Sequence, residues 1–109
     1  MTDRDVQITL QLMAYPVENG VHEESVERER TVWAIRRSAT RAEFYAAEQN
    51  GHKATDVFTV YAFEYEGEQR ILVPRADGTS EAFDVVRAYQ LEKSGQDYLE
   101  LTAERRRGR

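Results

Sequence analysis

The sequence predicts a mainly β fold: a small antiparallel β-barrel or sandwich of about six strands, with one short α-helix between the second and third strands. Three observations predict it. Several segments alternate apolar and polar residues with period two, the pattern of a strand with one buried face. Turn glycines at Gly67, Gly78 and Gly95 separate the segments of the second half at hairpin spacing. Only one segment carries helix start and stop signals, whereas a parallel α/β sheet needs a helix after each strand.

The first strand is Val6-Gln7-Ile8-Thr9-Leu10-Gln11-Leu12, which alternates without a break; Pro16 and Asn19-Gly20 end it. The second spans about Glu27 to Arg37. Thr31, Trp33 and Ile35 point one way, and Arg28, Arg30, Val32 and Ala34 the other. We read the Trp33 side as inward. The charged first half of this strand suits an exposed ribbon or edge, where charge blocks stray pairing.

Thr40-Arg41-Ala42-Glu43 is a capping box, in which the Thr40 hydroxyl accepts from the Glu43 amide and the Glu43 carboxylate accepts from the Thr40 amide. Good helix formers follow, Ala42 through Gln49, and Asn50-Gly51 is a C-terminal stop. The result is a helix of about ten residues, or ~15 Å. Phe44 and Ala47 share a stripe with Tyr45 beside it. So thin a stripe predicts a helix that lies on one side of a sheet or projects.

Val57-Phe58-Thr59-Val60-Tyr61-Ala62-Phe63-Glu64-Tyr65 is β-branched, aromatic and apolar on both faces, which predicts a central strand. Glu66-Gly67-Glu68 turns it into Gln69-Arg70-Ile71-Leu72-Val73, a hairpin. Pro74 and Asp77-Gly78 make the next turn. Ala82 to Tyr89 is another strand, and Ser94-Gly95-Gln96 turns into the last, Tyr98 to Thr102. No internal repeat is present. The 109 residues suit one domain, with residues 1–104 as the barrel and 105–109 as an Arg-rich tail.

The chain has no cysteine, which excludes disulfides, thiolate metal sites and a cysteine nucleophile. Apolar runs such as Val32-Trp33-Ala34-Ile35 fall far short of the ~20 residues of a membrane helix. The opening Met1-Thr2-Asp3-Arg4-Asp5 has no basic segment followed by an apolar one, so no secretory signal is expected. These features predict a soluble protein with no membrane partner.

The net charge is −5, from 15 basic and 20 acidic residues. Four of the basic residues are Arg105, Arg106, Arg107 and Arg109; residues 1–104 carry a net charge of −9. An acidic body disfavours broad nucleic-acid binding. The arginines at the end read as a solvated terminus, or as a short arm for an acidic neighbour or DNA. Thirteen of the fifteen basic residues are arginine, which suits planar, bidentate contacts with carboxylates.

No motif points to catalysis. His22 and His52 have no second histidine at metal-ligand spacing and read as exposed loop residues. No serine sits in a nucleophile elbow, and no glycine-rich phosphate loop occurs. The acidic run from His22 to Glu27 lacks the calcium-loop pattern. The expectation is a protein that is not an enzyme and has no cofactor and no metal. Trp33, the single tryptophan, reads as core, with an interface anchor as the alternative. Phe44 and Tyr45 carry the same two readings.

One stretch goes beyond generic patterning: Thr31-Val32-Trp33-Ala34-Ile35-Arg36-Arg37-Ser38-Ala39-Thr40-Arg41-Ala42-Glu43-Phe44-Tyr45-Ala46-Ala47-Glu48-Gln49-Asn50-Gly51-His52-Lys53. It resembles the head closure proteins of long-tailed phages and prophages, also called head–tail joining or stopper proteins. The family pattern is a strand ending in Trp/Leu-Ala-x-x-x-Ser, then x-Thr-Arg-x-Glu-Phe-Tyr, a short Ala-rich helix and Gly-x-Lys. Phe63-Glu64-Tyr65-Glu66-Gly67-Glu68, Phe83-Asp84-Val85-Val86-Arg87-Ala88-Tyr89 and Tyr98 to Arg105 are similar to its later segments, and Asp5 to Leu10 to its opening. The chain departs from the family at Asp77 to Ala82, at Ala54-Thr55, and in its Arg-rich end.

The resemblance implies a structural virion protein of the phage neck. It implies a β-barrel subunit of a homo-oligomeric ring that closes the DNA-filled head, with portal and adaptor proteins above and tail proteins below. Localisation would be the head–tail interface, after assembly in the host cytoplasm, with at most non-specific contact to DNA in the channel. An acidic channel lining would let that DNA slide. The partner-interface candidates are Trp33, Arg37, Ser38, Thr40, Arg41, Glu43, Phe44, Tyr45 and Lys53. The alternative is a small β-barrel protein-binding module unrelated to virion assembly, using Trp33, Phe44 and Tyr45.

Overall fold

The computed structural model describes residues 6–14, 17–18, 21–22, 24–93 and 95–106. Six strands form a closed antiparallel barrel: β1 (Val6–Ala14), β4 (Ser25–Ser38), β5 (Asp56–Tyr61), β6 (Arg70–Pro74), β7 (Ser80–Lys93) and β8 (Gln96–Arg105). Their order around the barrel is β1-β4-β5-β8-β7-β6. A two-residue pair, β2 (Val17–Glu18) and β3 (Val21–His22), lies between β1 and β4. The helix α1 (Arg41–Glu48) joins β4 to β5, the second and third strands of the barrel in chain order. Pro16, Asn19, Gly20, Ser94, the His22 side chain, Arg107 and Arg109 lie outside the described residues.

The core follows the alternation of each strand. Ile8, Leu10, Val32, Ala34, Phe58, Val60, Ile71, Val73, Phe83, Leu101 and Ala103 form one buried cluster. Phe58 and Phe83 meet edge to face at its centre, with centroids 5.2 Å apart. Burial of such a side chain contributes roughly 1.5–3 kcal/mol, so these inward rows dominate the stability of the barrel.

On β4 the inward row is Arg28, Arg30, Val32, Ala34 and Arg36, and this overturns the expected orientation of Trp33. Val32 and Ala34 are buried, while Trp33 is 52% exposed. The strand has two faces one residue out of phase. The register with β1 puts Val32 opposite Ile8 and Ala34 opposite Val6, so the small apolar side chains fill the interior. A six-stranded barrel has room inside for Val and Ala beside two phenylalanines, and the indole goes outside.

Charged side chains on this inward row close both ends of the core. At one end Arg36 donates to Asp56 (2.9 Å) and to Glu81 (3.0 Å) and lies over the Phe58 and Phe83 rings. At the other, Arg30 pairs with Glu68 (3.2 Å) and Glu66 (2.8 Å), and Glu68 is buried. The Glu66 amide also donates to Glu68, at 2.7 Å. Long arginine stems cover the apolar core while their heads find carboxylates.

Two further expectations are corrected. The aromatic strand ends at Tyr61, and Ala62–Glu64 is a turn of 3₁₀ helix. This turn sends the chain across the barrel end, where the Tyr65 hydroxyl donates to the Glu68 carbonyl at 2.7 Å. The expected hairpin between this strand and the next therefore does not form. β6 pairs with β1 and β7, and β5 pairs with β4 and β8. The turns at Gly78 and Gly95 do join paired strands, β6 to β7 and β7 to β8, and both glycines have positive φ, 91° and 77°.

β1 with β4, and β7 with β8, continue past the barrel as two ribbons. Both leave at the end closed by Arg30 and Glu68, because their turns lie on that side. A bulge at Val86 marks where β7 parts from β6, and one at Glu27 lies in the β4 ribbon.

Phe58→Ala is expected to lower the unfolding free energy by about 3–5 kcal/mol, the range for a deleted buried ring. Trp33→Ala is expected to stay within about 1 kcal/mol of the parent. Urea unfolding of both variants checks which face is inside; an equally large loss at Trp33 would put the indole in the core.

Candidate functional site

The segment from Ser38 to Lys53 leaves the barrel at the end closed by Arg36. Its helix begins as the capping box requires. The Glu43 amide donates to Thr40 Oγ1 (3.1 Å) and the Thr40 amide donates to Glu43 Oε1 (2.8 Å). The helix spans eight residues, shorter than expected, with Gln49 as its C-cap. Gly51, at φ 82°, lets the chain turn back, and the Gly51 and His52 amides donate to the Glu48 and Ala47 carbonyls.

Arg37, the neighbour of Arg36 on β4, faces outward and binds the helix. Its guanidinium forms two parallel bonds with Glu43, 2.9 and 2.8 Å, and reaches Glu100 on β8 at 3.6 Å. The hydrogen bonds from Arg37, helped by the Thr40 amide, lower the Glu43 carboxyl from 4.5 to about 2. The same bonds raise the Arg37 guanidinium. Thus one carboxylate caps the helix and fastens it to the barrel.

The helix lies over β7 and β8. Ala46, Ala47 and Asn50 face Val86, Arg87 and Thr102 across a groove of about 290 Å³. Ala47 is the helix's buried residue, and of the two expected placements, on one side of a sheet or projecting, the helix takes the first. Phe44 is half-buried and Tyr45 is 54% exposed, their rings edge to face at 5.9 Å.

The candidate residues divide accordingly. Thr40 and Glu43 are engaged within the segment, and Arg37 on β4 binds Glu43 and reaches Glu100. Ser38 and Lys53 are exposed on the rim of an open depression of about 710 Å³ beside Asp56, Glu104, Arg105 and Arg106. His52 is also exposed and meets Glu104 at 3.0 Å. Trp33 and Tyr45 present rings to solvent, and Arg41 is exposed. Of the described arginines, Arg41 and Arg87 alone make no ion pair. Arg41 stands in the first helical turn, where the helix dipole disfavours a cation.

The sequence reading missed Arg36, although it lies in phase with Arg30, Val32 and Ala34. Burial pushes its guanidinium down, but the hydrogen bonds it donates to Asp56 and Glu81, with their negative charges, outweigh this and raise it. It missed Phe63 and Tyr89 as exposed aromatics, 71% and 52%. Tyr61 stacks between Phe63 and Tyr98, both centroids 5.3 Å away, on the outward side of β5 and β8. The C-terminal arginines are partly built into the barrel. Arg105 ends β8 and pairs with Glu81 at 3.2 Å, and Arg106 pairs with Asp84 at 2.7 Å.

No protein-family model matches this chain, and no curated protein matches it. Among the described residues no group of three or more histidine, aspartate or glutamate side chains is placed to hold a metal ion, and no helix is long and apolar enough to cross a membrane. The arrangement offers charged and aromatic surface around a rigid barrel.

Thr40→Ala is expected to lower stability by about 1 kcal/mol through loss of the cap; thermal denaturation reads it, and an unchanged midpoint would count against the capping box. Because folding lowers the Glu43 carboxyl, its ion pair adds stability that is complete above 4.5 and fades as the pH falls toward about 2. The stability difference between the parent and Glu43→Gln should therefore shrink across that window. A difference independent of pH would show that the carboxylate charge contributes nothing.

Proposed function

We propose that this chain is a structural subunit of a phage neck, one copy in an oligomeric ring that closes the DNA-filled head and joins it to the tail. The observation that carries the reading is the division of labour within Thr40-Arg41-Ala42-Glu43-Phe44-Tyr45. Thr40 and Glu43 secure the helix to a rigid barrel. This leaves Arg41 and Tyr45 exposed, with Arg41 unpaired and at the unfavourable end of the helix dipole. A cation held there gains once an acidic partner covers it.

Two features support the class of function. The surface carries many arginine and carboxylate side chains, among them Arg28, Glu66, Arg106 and Asp84, which suits mating by charge complementarity once some of these re-pair across a ring interface. The body of the chain is acidic, at −9 for residues 1–104, so a channel lined by it would pass DNA without holding it. Portal and adaptor proteins would meet one face of the ring and tail proteins the other.

The test is genetic and structural. In a phage encoding this chain, deletion is expected to yield filled heads that lose their DNA and take no tails, and the parent chain restores them. Arg41→Glu combined with Tyr45→Ala is expected to leave thermal stability nearly unchanged while restoring few or no infectious particles. Heads that keep their DNA and join tails without the protein would refute the reading. Tight binding of the monomer to a cellular protein, with no effect on heads, would favour a protein-binding module.

A further inference from the structure

The barrel is closed, yet two of its strands carry long open edges where the ribbons leave it. β4 pairs with β1 over Ser25–Ala34 but with β5 only over Ile35–Ser38. β7 pairs with β8 over Phe83–Lys93 but with β6 only over Ser80–Asp84, with one further bond from the Val85 amide to the Gln69 carbonyl. Among the described residues, no backbone bond joins the free side of residues 25–34, or that of residues 87–92, to any other segment. Both stretches are largely exposed, and neither contains a proline.

Such edges are templates for another strand unless something blocks them. Their placement selects the partner. β4 and β7 stand three strands apart in a six-stranded barrel, hence on opposite sides. Each free edge faces onward in the same sense around the barrel, β4 toward β5 and β7 toward β6. On opposite sides, the same rotational sense means opposite directions in space. A second copy displaced sideways in the same orientation therefore brings its β7 edge to the first copy's β4 edge.

Charge agrees with this placement. On the β4 ribbon Arg28 and Arg30 are already neutralised by Glu66 and Glu68, which leaves Glu27 and Glu29 as its acidic groups. Among the described residues, Glu29 is met only by the neutral Gln11 amide, which donates to it. On the β7 edge Arg87 has no carboxylate partner among the described residues and rests on its own neighbour, Tyr89, 5.5 Å from the ring centroid. The acidic β4 edge repels a like edge and is complemented by Arg87, the free cation of a β7 edge that also carries Glu92 toward its tip.

We propose that copies of this chain associate head to tail, the open β7 edge of one adding as a strand to the open β4 edge of the next. The contact is heterologous, so it generates a ring when the rotation per copy closes and a filament when it does not. It deepens the ring reading above by naming the surfaces between subunits, and rests on that reading only for closure of the ring.

The test compares amide exchange of the full chain at low concentration and at about 1 mM, the weak end of specific association. Sedimentation velocity reads the assembly state. Association is expected to slow exchange at alternate amides of both 25–34 and 87–92 together. A chain still monomeric at that concentration, or one that associates with both stretches exchanging as in the monomer, overturns the proposal. Arg87→Glu, and separately Glu27→Arg with Glu29→Arg, are each expected to weaken association by about tenfold or more, and combining them in one chain restores it. Failure of the combined chain to recover, with its core amides still protected, also overturns it. Edge protection in a protein that plays no part in head closure would sink the phage reading and leave this inference standing; closed heads built from copies with unprotected edges would do the reverse.

Discussion

Arg30 and Arg36 stand on the same face of β4, and the apolar core lies between them. The two positions are six apart in the strand, about 20 Å along it. Each is held by carboxylates: Arg30 by Glu66 and Glu68, Arg36 by Asp56 and Glu81. A buried or half-buried charge is tolerated only when it is paired, so these clusters can sit only at the ends of the apolar interior. Between them the strand must offer small apolar side chains, and it offers Val32 and Ala34. The outward position of Trp33 follows from this constraint, as does the course of residues 62–69, which must bring Glu68 across the barrel end.

The same alternation gives adjacent arginines separate tasks. Arg36 turns inward and seals the core, while Arg37 turns outward and fastens the helix through Glu43. A single carboxylate that caps α1 and anchors it makes the Ser38–Lys53 segment continuous with the barrel at its base. Its outer surface is left to Arg41 and Tyr45. Both side chains are thus carried on a helix fastened to the barrel.

The ribbons extend that logic to the other end of the barrel. Closure of the sheet removes free edges inside the barrel but cannot do so where β5 and β6 are shorter than the strands beside them. β4 and β7 each have 14 residues, against 6 in β5 and 5 in β6. The mismatch in strand length creates two edges on opposite sides, one carrying Glu27 and Glu29 and the other Arg87 and Glu92.

Local chemistry determined much of this protein by sequence alone. Thr40 and Glu43 specify the helix start because capping is a contact between residues three apart. Gly78 and Gly95 specify hairpin turns because positive φ is a property of one residue. The period-two segments specify strands, and their number specifies a small antiparallel β fold. The resemblance to head closure proteins also rests on sequence alone, and it singled out Arg41 and Tyr45, which the fold leaves exposed. Alternation could not determine which face of β4 is inside, because both faces carry apolar and charged residues and a shift of one residue exchanges them. Nor could it reveal that β5 and β6 are not partners, because the course of the chain after Tyr61 depends on Glu66 and Glu68 reaching Arg30 across the barrel end. The Arg36–Asp56–Glu81 cluster and the open edges depend on which strands meet and how far each runs. Those are long-range properties, decided only when a closed barrel must fill its interior and pair every charge it buries.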